Sequence, residues 1–585
     1  MVWTAPKRRG RTLRILRMYY TPYRRFILYA LALLVIIRYL YLSFHTTHPT
    51  VQFNFKEHPL PHSATLRSQA RADEIKKEFK WAFDRYRAVA WGKDEVLPVS
   101  GGFKTTRNGF AATLVDSLTT ALVMNLTQEA TLTLDYVLNK LDFSKHDEKD
   151  YLMDPFETTI RYLGSLVSAA DILASTDIFG PIPNQEKYRT ACLEKAIDLA
   201  HIIAPAYDTP TGIPWPRVDL SRKIGVHEDS DPEYASMSRE VSPTLGPARI
   251  GSNWLENYRL SKLVGNKEYV TNATRSWSSL VWNSNDELFD GLISSPIDAF
   301  TGYAVGKSVS LGAGHDSYYE YLIKAAILAP SDKHASMYSH RWEQAMQSTR
   351  LHLAHRGSAP QSYTSDGHRP ENGYLFIAHV ESDLYYNEMG HLTCFLPGNL
   401  LLGGKFLSRP DLIDFGLDVL DTCHATYVMP TNLGPESFVW EAYSKESEEL
   451  DGGMETVRWA IEKPGPHELE QVRKLGFWVS DARYFLRPEV IESYYYAFRI
   501  TGDEKYREWA WAAYTGLKRF CKAKFGYGEV QDVTLPDGGG TVVDSSESFF
   551  LAETLKYLFM IFDDPERMPL DKWVFSTEAH PFRID

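Results

Sequence analysis

The chain has 585 residues, 44% hydrophobic and 24% charged, a balance that excludes a disordered polymer and permits one large domain or several. Its formal net charge of −12 argues against a nucleic-acid-binding body. Four cysteines exclude a disulfide-dense scaffold and leave room for one or two bridges.

Basic residues crowd the first 25 positions, among them Lys7, Arg8, Arg9, Arg24 and Arg25. FILYALALLVIIRYLYLSF follows, residues 26–44, apolar apart from Arg38 and Ser43 and just long enough to cross a bilayer. Arg38 lies towards one end, where its head can snorkel. A cleaved signal peptide is the rival reading, but the basic lead is long and a small-residue cleavage site is missing. The positive-inside rule then predicts a cytosolic tail over 1–25, a transmembrane signal anchor over 26–44 and a lumenal body, a single-pass type II arrangement. Asn125 and Asn272, each in an Asn-X-Thr triplet, are possible glycosylation acceptors on that topology.

Residues 45–69 are rich in proline and polar residues without a stable period and read as a lumenal stem. The body, 70–585, opens with ADEIKKEFKWAFDRYRAVAW, whose apolar residues recur at helical spacing. GGFKTTRNGFAATLVDSLTTALVMNL then reads as a loop feeding a helix, in which Asp116 suits a cap or a solvent-facing position better than an interior one. A weak repeat follows. Tyr188, Tyr269 and Tyr506 each sit in a short turn leading into an amphipathic helix, separated by 81 and then 237 residues. Such units predict six or seven stacked helix pairs, either an open solenoid or a closed ring. Long aperiodic loops, such as DTPTGIPWPRVDLSRKIGVHEDSDPEY, are the usual carriers of function.

Acidic residues stand at three loop-to-helix junctions. Glu157 lies in MDPFETTIRYLGSLVSAADIL with Arg161 four residues on, a spacing that also suits a surface ion pair of about 0.2–0.5 kcal/mol. Asp316 follows a glycine-containing turn in LGAGHDSYYEYLIKAA, where capping is the plain alternative. Glu489 and Glu492 follow Pro488 in RPEVIES and share one helix face ahead of Tyr494, Tyr495 and Tyr496. Such carboxylates suit glycosidic cleavage, in which a protonated one serves the leaving oxygen and an ionised one activates water.

The segments FETTIRYLGSLVSA, TPTGIPWPRV, GHDSYYEYLIK, HLTCFLPGNLLLGG, LGPESF, YFLRPEVIES, SSESFFLAETLKYLFMIF and WVFSTEAHPF, in this order, resemble class I α-1,2-mannosidases of glycoside hydrolase family 47. The resemblance implies an all-α (αα)7 barrel with long loops, a bound Ca²⁺, and inverting removal of α-1,2-linked mannose from high-mannose N-glycans on glycoproteins in the endoplasmic reticulum or Golgi. It carries the general acid onto Glu157, the water-activating base onto Glu489 and a third essential carboxylate onto Asp316. Thr577 becomes the calcium ligand through its carbonyl and hydroxyl, oxygen donors of the kind this cation prefers. Further pocket positions fall on Arg161, Glu436, Arg487, Glu492, Phe549, Glu553 and Glu578. The family's disulfide falls on Cys394 and Cys423, which leaves Cys192 and Cys521 as thiols. Arg249 departs from a common Glu, Gly314 from an Arg frequent in single-mannose trimming members, and Ser576 from a common Asn. The sequence leaves a protein partner open. A glycan-binding quality-control protein with little turnover is the alternative, and a helical repeat scaffold the third reading.

Overall fold

Inner helices of this protein are apolar on nearly every side, whereas outer helices carry one apolar stripe, and this contrast sets the architecture. A computed structural model describes residues 62–146, 151–175, 180–228, 241–283, 287–361, 370–441, 458–460 and 463–585, all within the unit Gln52–Asp585. Among them, seven helix pairs form two concentric rings. In chain order the helices are α1 (His62–Val89), α2 (Leu118–Val123), α3 (Thr127–Asn139), α4 (Gly164–Ala174), α5 (Gln185–Ile203), α6 (Trp254–Val264) and α7 (Glu268–Val281). They continue with α8 (Asp316–Leu328), α9 (Ala335–Ser348), α10 (Leu396–Phe406), α11 (Pro410–Tyr427), α12 (Glu489–Thr501), α13 (Lys505–Gly516) and α14 (Leu555–Phe562). The even-numbered helices touch in succession, and α14 returns to α2, so the inner ring closes. Each odd-numbered helix packs outside its partner, with α1 covering α14.

Local sequence explains the division. In α8 every residue after Asp316 is buried, and all of α14 is buried. In α7 the buried residues are Ala273, Ser276, Trp277, Leu280 and Val281, the single stripe of an amphipathic helix. Gly403 permits close approach in α10, since a Cβ there would stand 2.2 Å from Trp342. Tyr188, Tyr269 and Tyr506 all fall in the first turns of outer helices, α5, α7 and α13, which is the repeat seen in the sequence.

The all-α expectation needs one amendment. The long loops contain short strands in two- and three-stranded sheets, because buried loop backbone must find hydrogen-bond partners. One of them, the C-terminal hairpin of Trp573–Phe575 and Pro581–Arg583, packs against α4 and α8 and carries the buried turn 576–580.

The membrane expectation is corrected. Among the described residues no helix is long and apolar enough to cross a membrane. The long ones, α1, α5 and α11 with 28, 19 and 18 residues, all carry charged faces. The predicted span 26–44 and tail 1–25 lie outside the described residues, and α1 begins at His62, inside the predicted stem. The transmembrane signal anchor, the membrane as a partner and the single-pass type II endoplasmic reticulum or Golgi localisation are therefore withdrawn. Of the two triplets, Asn125 is exposed between α2 and α3, where its Oδ1 accepts from Gly180 N at 3.0 Å, and Asn272 is half-buried within α7.

Candidate active site

Three acidic residues stand at the same end of the inner ring, each at or before an inner-helix N-terminus. Glu157 lies in the short helix Pro155–Thr158, which continues through the π-turn Thr159–Leu163 into α4. Asp154 caps it by accepting from Phe156 N at 3.0 Å and Glu157 N at 3.3 Å, and Pro155 fits the first turn. The Glu157–Arg161 pair is not a surface pair. Arg161 is buried, with Nε donating to Glu157 Oε2 at 2.8 Å and Nη1 donating to Ser548 Oγ and Glu578 Oε2, both at 3.1 Å. Its guanidinium lies 5.7 Å from the centre of the Phe549 ring, so Phe549 packs against a cation. Burial raises the Glu157 carboxyl, but Arg161 and then Arg107, at 3.8 Å, overcome it and hold it at about 2.

Glu489 opens α12 and is buried. His391 Nδ1 meets its Oε2 at 2.7 Å, and His391 Nε2 meets the Tyr427 hydroxyl at 2.8 Å. Burial again raises the carboxyl, and the His391 hydrogen bond with the Arg487 charge outweighs it, so Glu489 is held below the usual range. Arg487 grips Glu436 with a two-point fork, Nε to Oε2 and Nη2 to Oε1, both at 2.7 Å. A cavity of about 340 Å³ opens beside Glu436 and His391, lined also by Gly312, His315 and Ser437.

Asp316, the first residue of α8, accepts from Ser317 N at 2.8 Å. Burial first, then the Glu320 and Glu489 charges, push it up to about 7. Glu492 accepts from the Tyr557 hydroxyl at 3.1 Å and lies 3.7 Å from Lys324, which also binds Glu320. Burial raises Glu492, Glu553 and Glu578; the Glu578 charge raises Glu553 further, while a hydrogen bond from Glu553 partly offsets the rise of Glu578. The charge effects connect the set: Glu578 feels Glu157, Glu553 feels Glu489 and Glu492, and Asp316 feels Glu489. The fold thus gathers all the acids that the sequence singled out.

Such an excess of carboxylates over cations favours bound protons or a bound cation. Thr577 sits in the hairpin turn, half-buried between the buried Ser576 and Glu578, with its N–H 3.4 Å from the Tyr321 hydroxyl. Its hydroxyl and carbonyl are hard oxygen donors next to acids, a donor set that fits calcium. Among the described residues no group of three or more His, Cys, Asp or Glu side chains is arranged to hold a metal. Cys394 and Cys423 form a disulfide between the 391–395 turn and α11, while Cys192 and Cys521 are buried thiols.

The sequence profile of glycosyl hydrolase family 47 matches residues 78–584. The chain belongs to glycosyl hydrolase family 47. It is 36% identical over 529 residues to the mannosyl-oligosaccharide α-1,2-mannosidase 1B of Aspergillus oryzae, covering 88% of this chain and 92% of that one. It is 35% identical over 537 residues to the mannosyl-oligosaccharide α-1,2-mannosidase of Penicillium citrinum, covering 89% and 94%. The solved α-1,2-mannosidase from Trichoderma reesei superposes with a TM-score of 0.77 at 32% identity, over 88% of this chain and 99% of that structure.

Two departures of this family 47 chain now have a setting. Arg249 lies 2.9 Å from the capping carboxylate of Asp154 and 3.6 Å from Glu228, so it braces the start of the Glu157 helix. Gly314 has φ +84°, and a Cβ there would meet nothing within 4 Å. Sequence reasoning missed His391, although it heads the quoted HLTCFLPG segment. It also missed Glu256, a buried acid that accepts from the Tyr321 hydroxyl at 2.6 Å and is raised by burial to about 8.

Proposed function

We propose that this family 47 chain is an inverting exo-α-1,2-mannosidase that trims high-mannose N-linked oligosaccharides. The observation that carries the reading is that Glu157, Asp316 and Glu489 stand at or before inner-helix N-termini, with Arg161 joining Glu157 to Glu578 of the Thr577 turn, in a chain whose relatives bear mannosidase names. Glu489, ionised under His391 and Arg487, serves as the base that takes a proton from water. Inversion in one displacement requires the acid and base to stand about 6.5–9.5 Å apart, with water between base and sugar.

The proton donor is the finer question. Glu157 is ionised before substrate arrives and can act as the acid only when the substrate loosens the hold of Arg161 and Arg107. Asp316, raised to about 7, already carries a proton near neutrality, which favours it as a second candidate. The Thr577 carbonyl and hydroxyl would hold a calcium ion, which would supply a hard anchor for sugar hydroxyls. The Arg487–Glu436 fork, beside the cavity, and the acids of α12 supply polar groups for sugar hydroxyls.

The test is NMR of mannose freshly released from an α-1,2-linked disaccharide. The β anomer appearing first supports the reading, and the α anomer overturns inversion. Glycan binding without release points instead to a glycan-binding quality-control protein. Paired pH profiles of Glu157→Gln and Asp316→Asn identify the donor by which variant loses the alkaline limb.

A further inference from the structure

Asp116 is fully buried, against the sequence expectation of a cap or a solvent-facing position. A buried carboxylate is costly unless it is paired, so its partners indicate what it does. Asp116 Oδ2 accepts from the Ser548 hydroxyl and lies 3.6 Å from Arg161 Nη1. Asp116 Oδ1 lies 3.2 Å from His580 Nε2. Ser548, itself buried, accepts from Arg161 Nη1 at 3.1 Å, so its one hydroxyl links guanidinium to carboxylate.

On the far side the same cluster holds the 576–580 turn. His580 Nδ1 is 3.0 Å from Thr119 Oγ1, which also accepts from Lys556 Nζ at 2.9 Å. Lys556 donates in addition to the Ala579 carbonyl at 2.7 Å, fixing a residue with φ +55°. Asp116 therefore stands between the arginine that binds Glu157 and the turn that bears Thr577. Without it, Arg161 would keep Glu157, Glu578 and the Ser548 hydroxyl, but that hydroxyl would lose the carboxylate that holds it in place.

We propose that Asp116 and Ser548 are a positioning pair, which orients the Arg161 guanidinium so that Nε serves Glu157 while Nη1 serves Glu578. Neither residue touches the sugar. They set where the Glu157 carboxylate stands relative to the 576–580 turn. The inference rests on the mannosidase reading for its kinetic consequence, but its geometric part is independent of that reading.

Ser548→Ala removes one oxygen and no charge, and Asp116→Asn keeps the shape and removes the charge. In the full-length protein, Ser548→Ala should lower kcat about tenfold or more, with KM changed less than about threefold and the thermal midpoint little altered. In a Glu157→Gln background the same substitution should change the residual rate less than about twofold, because groups that act as a unit are not additive. Unchanged kcat, or effects that multiply in the double variant, overturn the pairing. A loss of activity that only tracks a loss of thermal stability does the same. If Asp116→Asn fails to fold, Ser548→Ala alone decides. A wild type that releases no mannose rejects the mannosidase reading instead. The pair is then judged by a crystal structure of Ser548→Ala, where an Arg161 fork still on both Glu157 and Glu578 overturns it and a displaced one supports it.

Discussion

His391 Nδ1 lies 2.7 Å from Glu489 Oε2, and the other ring nitrogen meets the Tyr427 hydroxyl at 2.8 Å. The ring thus bridges the carboxylate and the tyrosine hydroxyl. This arrangement keeps Glu489 ionised in a buried position, the state a base requires. His391→Ala should therefore raise the Glu489 carboxyl, because burial remains while its strongest counterweight is gone. The acid limb of the kcat/KM profile should move to higher pH, with kcat at neutral pH reduced about tenfold. An unmoved limb would separate His391 from the base.

Asp316 gives a stability prediction of the opposite sign to that of a salt-bridged acid. Its native value is about 7 against an ordinary 3.8, so between these values the native state binds more protons than the unfolded state. The associated stability is fully present below the unfolded value and is lost as pH rises through about 7. Asp316→Asn stays neutral and should gain thermal stability relative to wild type at pH 8, with a smaller difference at pH 5. Denaturation scans at the two pH values check this, and an equal difference at both would refute the coupling.

The disulfide closes a loop with a sequence separation of 29 between Cys394 and Cys423. Constraint of the unfolded chain predicts a contribution on the order of 3–4 kcal/mol. Cys394→Ala with Cys423→Ala should lower unfolding free energy by roughly that amount. Cys192 and Cys521 should react with a thiol reagent only after unfolding, since burial both hides them and raises their thiols.

Legibility in the sequence followed the range of the interaction. The Glu489 junction was readable because proline, the paired acids and the helix start are adjacent. The tyrosine-led turns were readable as repeats because each repeats a local pattern. Ring closure was not legible in the repeat and came only from the family resemblance, because α1 meets α14 only after nearly the whole chain has been traversed. Local sequence favoured a surface pair for Glu157 and Arg161, since nothing within four residues announces Glu578 or Ser548. Asp116 was misjudged for the same reason: its partners come from 161, 548 and 580. The anchor was inferred from hydropathy of a stretch outside the described residues, and the helices that are described give it no support.

We propose that Thr577 serves ion binding and Gly314 substrate choice. In wild type, calcium at 100 times its dissociation constant should raise stability by about 2.7 kcal/mol, because a ligand that binds only the native state stabilises it. Thr577→Ala removes the hydroxyl and leaves the carbonyl, so the calcium-induced rise in thermal midpoint should shrink without vanishing. Gly314 acts elsewhere, through a left-handed backbone at φ +84° and empty space beyond its Cα. Any side chain there pays about 1–2 kcal/mol of backbone strain, which Gly314→Ala measures on its own. Gly314→Arg incurs the same strain and adds a long donor reaching into that space. Relative to Gly314→Ala, it should change the order in which branches of a nine-mannose glycan are trimmed and leave the calcium response intact. Calcium titrations and timed product maps of the three variants decide the matter. If Gly314→Arg weakens calcium as strongly as Thr577→Ala, or trims in the same order as Gly314→Ala while folded and active, the two residues do not divide the work in this way.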